Sequence, residues 1–178
     1  YAYLQDDLAL SESAIRGMNL FFSERLECHH CHGGFNFTQS TGHEKQLLDR
    51  RPFHNTGLYN VNNASVYPKL DNGLAEITTL AADNGRFRAP TLRNIAVTAP
   101  YMHDGSIESL EQVIDFYEGG GRNITEGPYR GDGRTNALKS SFMKGFTLTD
   151  RERQDLLAFL HALTDESFLS APEHAPLK

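Results

Sequence analysis

The sequence predicts an all-α domain whose helices are separated by long irregular loops. Three segments, at residues 11–24, 109–121 and 149–163, carry apolar side chains at the spacing of an amphipathic helix. Little of the chain alternates apolar and polar residues as a strand would. Residues 33–74 are rich in Gly, Asn, Asp and Pro, which is typical of loop.

Length and composition indicate one domain spanning residues 1–178. The chain is 39% hydrophobic and 22% charged, and its net charge is -6. It therefore lacks the basic surplus with which nucleic-acid binders neutralise phosphates. The longest apolar runs, such as Leu156–Leu160, fall far short of the roughly 20 residues that span a bilayer. We expect neither nucleic acid nor membrane as a partner.

The first helix is predicted over Ser11–Glu24, with Ser11 or Ser13 as its N-cap. The loop that follows is too long to be structureless in a compact domain unless it wraps around a ligand. Its interspersed aromatic residues favour a large apolar ligand. They are Phe35, Phe37, Phe53, Tyr59 and Tyr67.

Three later segments carry helix start and stop signals. Pro90 is predicted at the first position of a helix, where its missing N–H costs nothing. Ser109 and Gln112 have the spacing of a capping box, and the run Gly119–Gly121 should end that helix. Thr149 and Glu152 predict a second box. The tail after Thr164 is expected to fray.

The two cysteines lie in the stretch "LECHHCHGGFNF". Cys28, Cys31 and His32 match the Cys-x-x-Cys-His pattern of covalent haem c attachment, in which both thiols add to haem vinyl groups and the histidine binds the iron. His29 and His30 are then predicted to be spacers. The fold expected is therefore a cytochrome c-like haem domain whose irregular loops wrap the haem.

The cysteine pair has two alternative interpretations. A structural zinc site needs two more ligands, for which His43 and His54 are the candidates. A thioredoxin-like redox pair would lie beside a βαβ pattern, which the sequence lacks.

The second axial position of the iron sets its chemistry, and spacing alone leaves several candidates for it. They are Met102, His103, Tyr117 and Met143.

The segment "FRAPTLRNIAVTAPYMHDGSIESLEQVIDFYEGGG", together with "SESAIRGMNLFF" and "LTDRERQDLLAFLHALT", resembles the carboxy-terminal haem domain of the bacterial di-haem cytochrome c peroxidase and MauG family. The resemblance covers nearly the whole chain. It implies that Tyr117 is the distal ligand, as in the MauG-like branch, and that Met102 is the runner-up. An oxygen donor favours ferric iron, whereas a thioether favours ferrous iron.

The resemblance implies further sites. A calcium ion between the two haem domains of the family would be bound by the backbone carbonyls of Thr98 and Pro100. The alternative is that this segment simply ends a helix. Arg88, Arg93 and His103 are candidates for hydrogen bonds to the haem propionates.

Because the family has two haems and this chain has one attachment motif, we expect a half-molecule whose amino-terminal haem domain precedes Tyr1, or else a single-haem relative. The implied function is a hydrogen-peroxide-using oxidoreductase with a redox protein as donor or a protein as substrate. The alternative is an electron-transfer cytochrome with His/Met ligation. Haem c is attached outside the cytosol, which predicts a periplasmic location.

Overall fold

The computed structural model describes residues 10–40 and 52–174 of the chain. Within them are five α-helices: α1 (Glu12–Phe21), α2 (Ala75–Thr78), α3 (Leu110–Glu118), α4 (Asp150–His161) and α5 (Glu166–Ser170). Two antiparallel pairs of very short strands accompany them, β1 (Phe53–His54) with β2 (Phe87–Arg88) and β3 (Asn123–Ile124) with β4 (Gly131–Asp132). The predicted all-α class with long irregular loops is confirmed.

Helix α1 begins as its sequence predicts. The Ser11 side chain accepts a hydrogen bond from the N–H of Ala14 at 3.1 Å, so Ser11 is the N-cap. The helix ends at Phe21, three residues earlier than expected.

Helices α1 and α4 pack against each other although they lie near opposite ends of the chain. Gly17 allows their close approach, because a Cβ there would lie 1.9 Å from the carbonyl oxygen of Asp155. The rings of Phe21 and Phe159 meet with their centroids 5.3 Å apart. Arg16 adds two hydrogen bonds of 2.7 Å to the buried carboxylate of Asp155. This helix pair supports the segment that follows α1.

A capping box is predicted at the start of both α4 and α3, and the structure contains the complete box only at α4. Thr149 and Glu152 form the predicted capping box at the start of α4. Ser109 caps α3 by accepting from the N–H of Gln112, but the Gln112 side chain accepts from Glu108 and not from Ser109. Only half of that box is therefore present.

The prediction of a helix beginning at Pro90 is wrong. Residues 89–91 are held against the loop at residues 36–40 by side-chain hydroxyls. Thr38 donates to the carbonyl of Ala89, and Thr91 donates to the carbonyl of Asn36, each at 2.6 Å. Because these long-range bonds hold the segment against the loop, the next helical turn is a 3₁₀ helix that begins only at Ile95.

The predicted fraying after Thr164 is also wrong over the described residues. Asp165 accepts a hydrogen bond from the N–H of Phe168 at 2.9 Å and so caps α5. No helix within residues 10–40 and 52–174 is long and apolar enough to cross a membrane.

Candidate haem-binding site

The Cys-x-x-Cys-His motif lies on a single tight turn directly after α1. Cys28 opens a 3₁₀ helix, and its carbonyl accepts from the N–H groups of Cys31 at 3.3 Å and His32 at 2.9 Å. Both thiols are free and half-buried. Burial raises the pKa of Cys28 to about 12 and that of Cys31 to about 11, so both sulfurs are protonated at neutral pH.

The His32 ring is oriented by the backbone of Pro90. Its Nδ1 lies 3.1 Å from the Pro90 carbonyl oxygen, which can only accept, so Nδ1–H donates. Nε2 then carries the lone pair. Burial also lowers the pKa of His32, which favours the neutral imidazole that binds a metal. The pairing of a ligand nitrogen with a backbone-bonded second nitrogen is typical of metal-binding histidines.

The structure brings Tyr117 to the cysteine pair. Burial raises the pKa of the phenol well above its ordinary value, and Cys31 and Cys28 would raise it further as thiolates. Both thiols therefore lie within electrostatic range of the phenol. Tyr117 also shares the lining of one cavity with the buried Met143, whereas Met102 packs against the core with a positive φ of 70°.

His54 is a site residue that the sequence offered only as a zinc candidate. It lies on β1 and close enough to His32 to lower that residue's pKa electrostatically. Its Nε2 is buried and has no hydrogen-bond partner among the described residues. Burial lowers the pKa of His54, so the ring is neutral and one of its nitrogens is a donor. No local pattern marks this position. The other zinc candidate, His43, lies outside the described residues.

The side chains predicted at the haem propionates each contact other groups. The Arg88 guanidinium lies 5.0 Å from the centre of the Phe53 ring. Arg93 lies over the ring of Phe35 at 4.4 Å and donates to its carbonyl at 2.7 Å.

His103 Nε2 lies 2.8 Å from a carboxylate oxygen of Asp71, and the imidazole stacks on the Phe87 ring at 3.7 Å. The two residues predicted at calcium, Thr98 and Pro100, are both exposed. Thr98 follows the 3₁₀ helix Ile95–Val97, so the segment does end a helical turn, as the alternative interpretation expected.

The residues brought together fit a covalently bound haem. Two free thiols on one turn provide the attachment points, and His32 presents an unprotonated nitrogen. The unpartnered Nε2 of His54 is a buried polar atom that needs a partner, and a propionate would supply one.

Comparison with known proteins gives the family. No protein-family model matches the chain. It is 36% identical over 171 residues to the cytochrome-c peroxidase IdrP1 of Pseudomonas sp. (strain SCT), an alignment that covers 89% of this chain and 42% of the relative. It is 32% identical over 163 residues to the methylamine utilization protein MauG of Methylorubrum extorquens, covering 92% of this chain and 38% of the relative.

A solved structure agrees with these relatives. The crystal structure of a MauG-like protein associated with microbial copper homeostasis superposes with a TM-score of 0.94 at 50% sequence identity, covering 98% of this chain and 50% of that one. The chain thus spans about half the length, or less, of the proteins it matches. Haem c is the cofactor that these relatives imply. The chain belongs to the bacterial di-haem cytochrome c peroxidase and MauG family.

Proposed function

We propose that this chain is the carboxy-terminal haem c domain of a two-haem oxidoreductase that uses hydrogen peroxide, and that His32 and Tyr117 are the axial ligands of its haem. In this role the domain stores or relays oxidising equivalents. The observation that carries the proposal is the position of the half-buried Tyr117, whose phenol lies within electrostatic range of Cys28 and Cys31. Membership of a peroxidase-type family supports it.

Each residue has a defined task in this proposal. The Cys28 and Cys31 thiols would each form a thioether bond by adding across a haem vinyl group, and so would hold the haem at the turn after α1. His32 would hold the iron through Nε2, because the Pro90 carbonyl accepts from Nδ1–H and so keeps the ring in the tautomer whose Nε2 has a free lone pair. The bound haem supplies one-electron redox chemistry.

The protonation of Tyr117 is the step that its surroundings control. Burial disfavours the phenolate, so the phenol keeps its proton until a cation lies next to its oxygen. A bound metal ion is such a cation, and it would lower the pKa of a coordinating phenol as it lowers that of a coordinating water. The resulting anionic oxygen stabilises ferric iron, which suits a site that holds oxidising equivalents.

The remaining assignments follow from the same proposal. His54 would donate a hydrogen bond to a haem propionate. Arg88, Arg93 and His103 would do the same in place of the contacts described above. The carbonyls of Thr98 and Pro100 would bind calcium together with a ligand from the amino-terminal haem domain. The protein would work in the periplasm with a redox protein as electron donor or a protein as substrate.

The test of the ligation compares Tyr117→Phe with the exposed-site control Tyr129→Phe in the haem-loaded protein. Tyr117→Phe should change the ferric optical and EPR spectra, since it removes the ligand oxygen, and Tyr129→Phe should leave both unchanged. An unchanged spectrum in Tyr117→Phe rules out tyrosine ligation.

A second candidate function is electron transfer by a His/Met-ligated cytochrome, which the position of Met143 in the same cavity as Tyr117 favours. Met102, the runner-up from the sequence, would serve the same role. Thioether ligation would give a high midpoint potential, and the spectrum would then respond to Met143→Leu or Met102→Leu and not to Tyr117→Phe.

Stoichiometric hydrogen peroxide, added to the complete two-haem protein, decides between the enzyme and the electron carrier. A protein that peroxide does not oxidise beyond the ferric state is not a peroxidase of this kind.

A further inference from the structure

Three metal-ligating side chains converge beside the haem-attachment motif. The carboxylate of Glu24 lies between two imidazoles, with its Oε1 3.4 Å from Nε2 of His29 and its Oε2 3.2 Å from Nε2 of His30. One candidate ligand atom from each of the three residues lies within 4.8 Å of the other two. His29 and His30 lie between the two attachment cysteines, and Glu24 lines the same cavity as Tyr117, but none of the three has a role in binding the haem as described above.

The backbone holds this cluster together. Glu27 has a left-handed conformation, with φ of 56°, and its N–H donates to the carbonyl of Ser23 at 2.9 Å. The chain thereby turns back, so that the 3₁₀ helix places both imidazoles over Glu24. The two rings lie 4.2 Å apart, and the outer face of His30 stacks on Phe142 at 4.5 Å with an angle of 13°. Packing therefore restricts the rings before any ligand binds.

The separations suit a small divalent cation. Bonds of about 2.0–2.1 Å in a tetrahedral site place neighbouring ligand atoms about 3.3–3.4 Å apart. Each imidazole Nε2 lies at such a distance from one oxygen of the Glu24 carboxylate, 3.4 Å for His29 and Oε1 and 3.2 Å for His30 and Oε2, so either oxygen could serve with a small shift of the exposed Glu24 side chain. The imidazoles of His29 and His30 are 24% and 30% exposed and the Glu24 side chain is 78% exposed, so a cation can reach the cluster and keep a water ligand. His29 Nδ1 is buried, which leaves Nε2 as the accessible nitrogen of that ring.

We propose that Glu24, His29 and His30 form a binding site for a divalent transition-metal ion of the zinc or copper(II) type, with water completing the coordination. Two imidazole nitrogens and one carboxylate oxygen suit these metals, whereas calcium and magnesium prefer oxygen ligands throughout. Predicted from the sequence to be spacers, His29 and His30 thus gain a role separate from the covalent haem.

A cluster held only by N–H groups that donate to the carboxylate would show the same short distances. The two states differ in what they do when metal is added. A hydrogen-bonded cluster gives no saturable binding, whereas a metal site exchanges its imidazole protons for the cation.

The experiment is a calorimetric titration of Zn²⁺ into the haem-loaded protein, purified without a polyhistidine tag. We expect one saturable site per chain. Glu24→Gln and His30→Gln should each weaken it by at least about tenfold, since loss of a ligand should cost no less than loss of its supporting partner. The matched control is His161→Gln, which removes an exposed imidazole at the end of α4 and should leave the affinity unchanged.

A second readout identifies the ligands directly. Copper(II) bound to the same protein should show nitrogen hyperfine structure in its EPR spectrum, and His30→Gln should reduce the number of coupled nitrogens. The Soret absorbance of every variant confirms that haem is attached. The proposal is overturned if Zn²⁺ gives no saturable heat, if Glu24→Gln and His30→Gln bind as tightly as the parent, or if His161→Gln loses as much affinity as they do. None of these results depends on how Tyr117 is used.

Discussion

Gly17→Ala tests the close approach of α1 and α4, on which the position of the haem motif depends. The added Cβ would lie 1.9 Å from the Asp155 carbonyl oxygen and 2.9 Å from the Cβ of Phe159. Ordinary contact begins near 3.4 Å, so the helices would have to separate locally by about 1.5 Å. The obstructing atom belongs to the backbone of α4 and cannot move aside by a rotamer change.

The magnitude follows from two opposing effects. Overpacking of this kind costs typically about 1–3 kcal/mol, and the rigid backbone contact at Gly17 puts this site at the upper end. Alanine offsets up to about 1 kcal/mol of this cost, because its helix propensity is better than that of glycine. We therefore expect a loss of about 2 kcal/mol of unfolding free energy, which for a chain of this size lowers the Tm by about 4–8 °C.

The assay is urea unfolding of the haem-loaded protein, followed by far-UV circular dichroism. Asn19→Ala is the control, because Asn19 is an exposed position of the same helix and its replacement adds no contact. It should change stability by less than about 0.5 kcal/mol. If Gly17→Ala proves as stable as Asn19→Ala, the two helices are not packed as closely as described.

Three further predictions concern α4. Phe159→Ala removes a ring that is 2% exposed, and it should cost about 3–5 kcal/mol in urea unfolding; a cost below 1 kcal/mol would contradict its place in the core. Thr149→Ala should cost about 1 kcal/mol through loss of the capping box, while Thr149→Ser should retain most of it; equal losses in both variants would show that the cap contributes nothing. Hydrogen bonds from Arg16 and Ser13 lower the pKa of Asp155 to about 2 from the ordinary value of 3.8. The stabilisation that the ionised carboxylate gives is therefore complete above about pH 4 and is lost as the pH falls towards 2. An acid titration should accordingly show a shallower loss of stability in Asp155→Asn than in the parent, and identical slopes would exclude the ion pair.

Local signals were enough to predict the main helices of the fold. Ser11, Ser109 and Thr149 cap α1, α3 and α4 as predicted, because a capping side chain acts on a backbone N–H only three residues away. The attachment motif is equally local, since its geometry is that of a single turn. Patterns of this range can be read from the sequence alone.

Features that depend on distant parts of the chain were not predicted. Pro90 resembles the start of a helix, yet its carbonyl is taken by His32, 58 residues earlier in the chain. His54 lies on β1, which pairs with β2, and it is close enough to His32 to affect its pKa, yet no spacing rule links the two positions. Tyr117 is part of the apolar stripe of α3, and that pattern alone indicates a core residue. Its role as the distal ligand came only from the family resemblance and stays a prediction.

The packing of α1 on α4 also bears on how the domain matures. The attachment motif directly follows α1, while the helix that holds α1 in place is encoded more than 100 residues later. A chain made from its amino end therefore presents both thiols before their scaffold exists. We expect the newly made polypeptide to present Cys28 and Cys31 in an open state, and the two helices to pack together only afterwards.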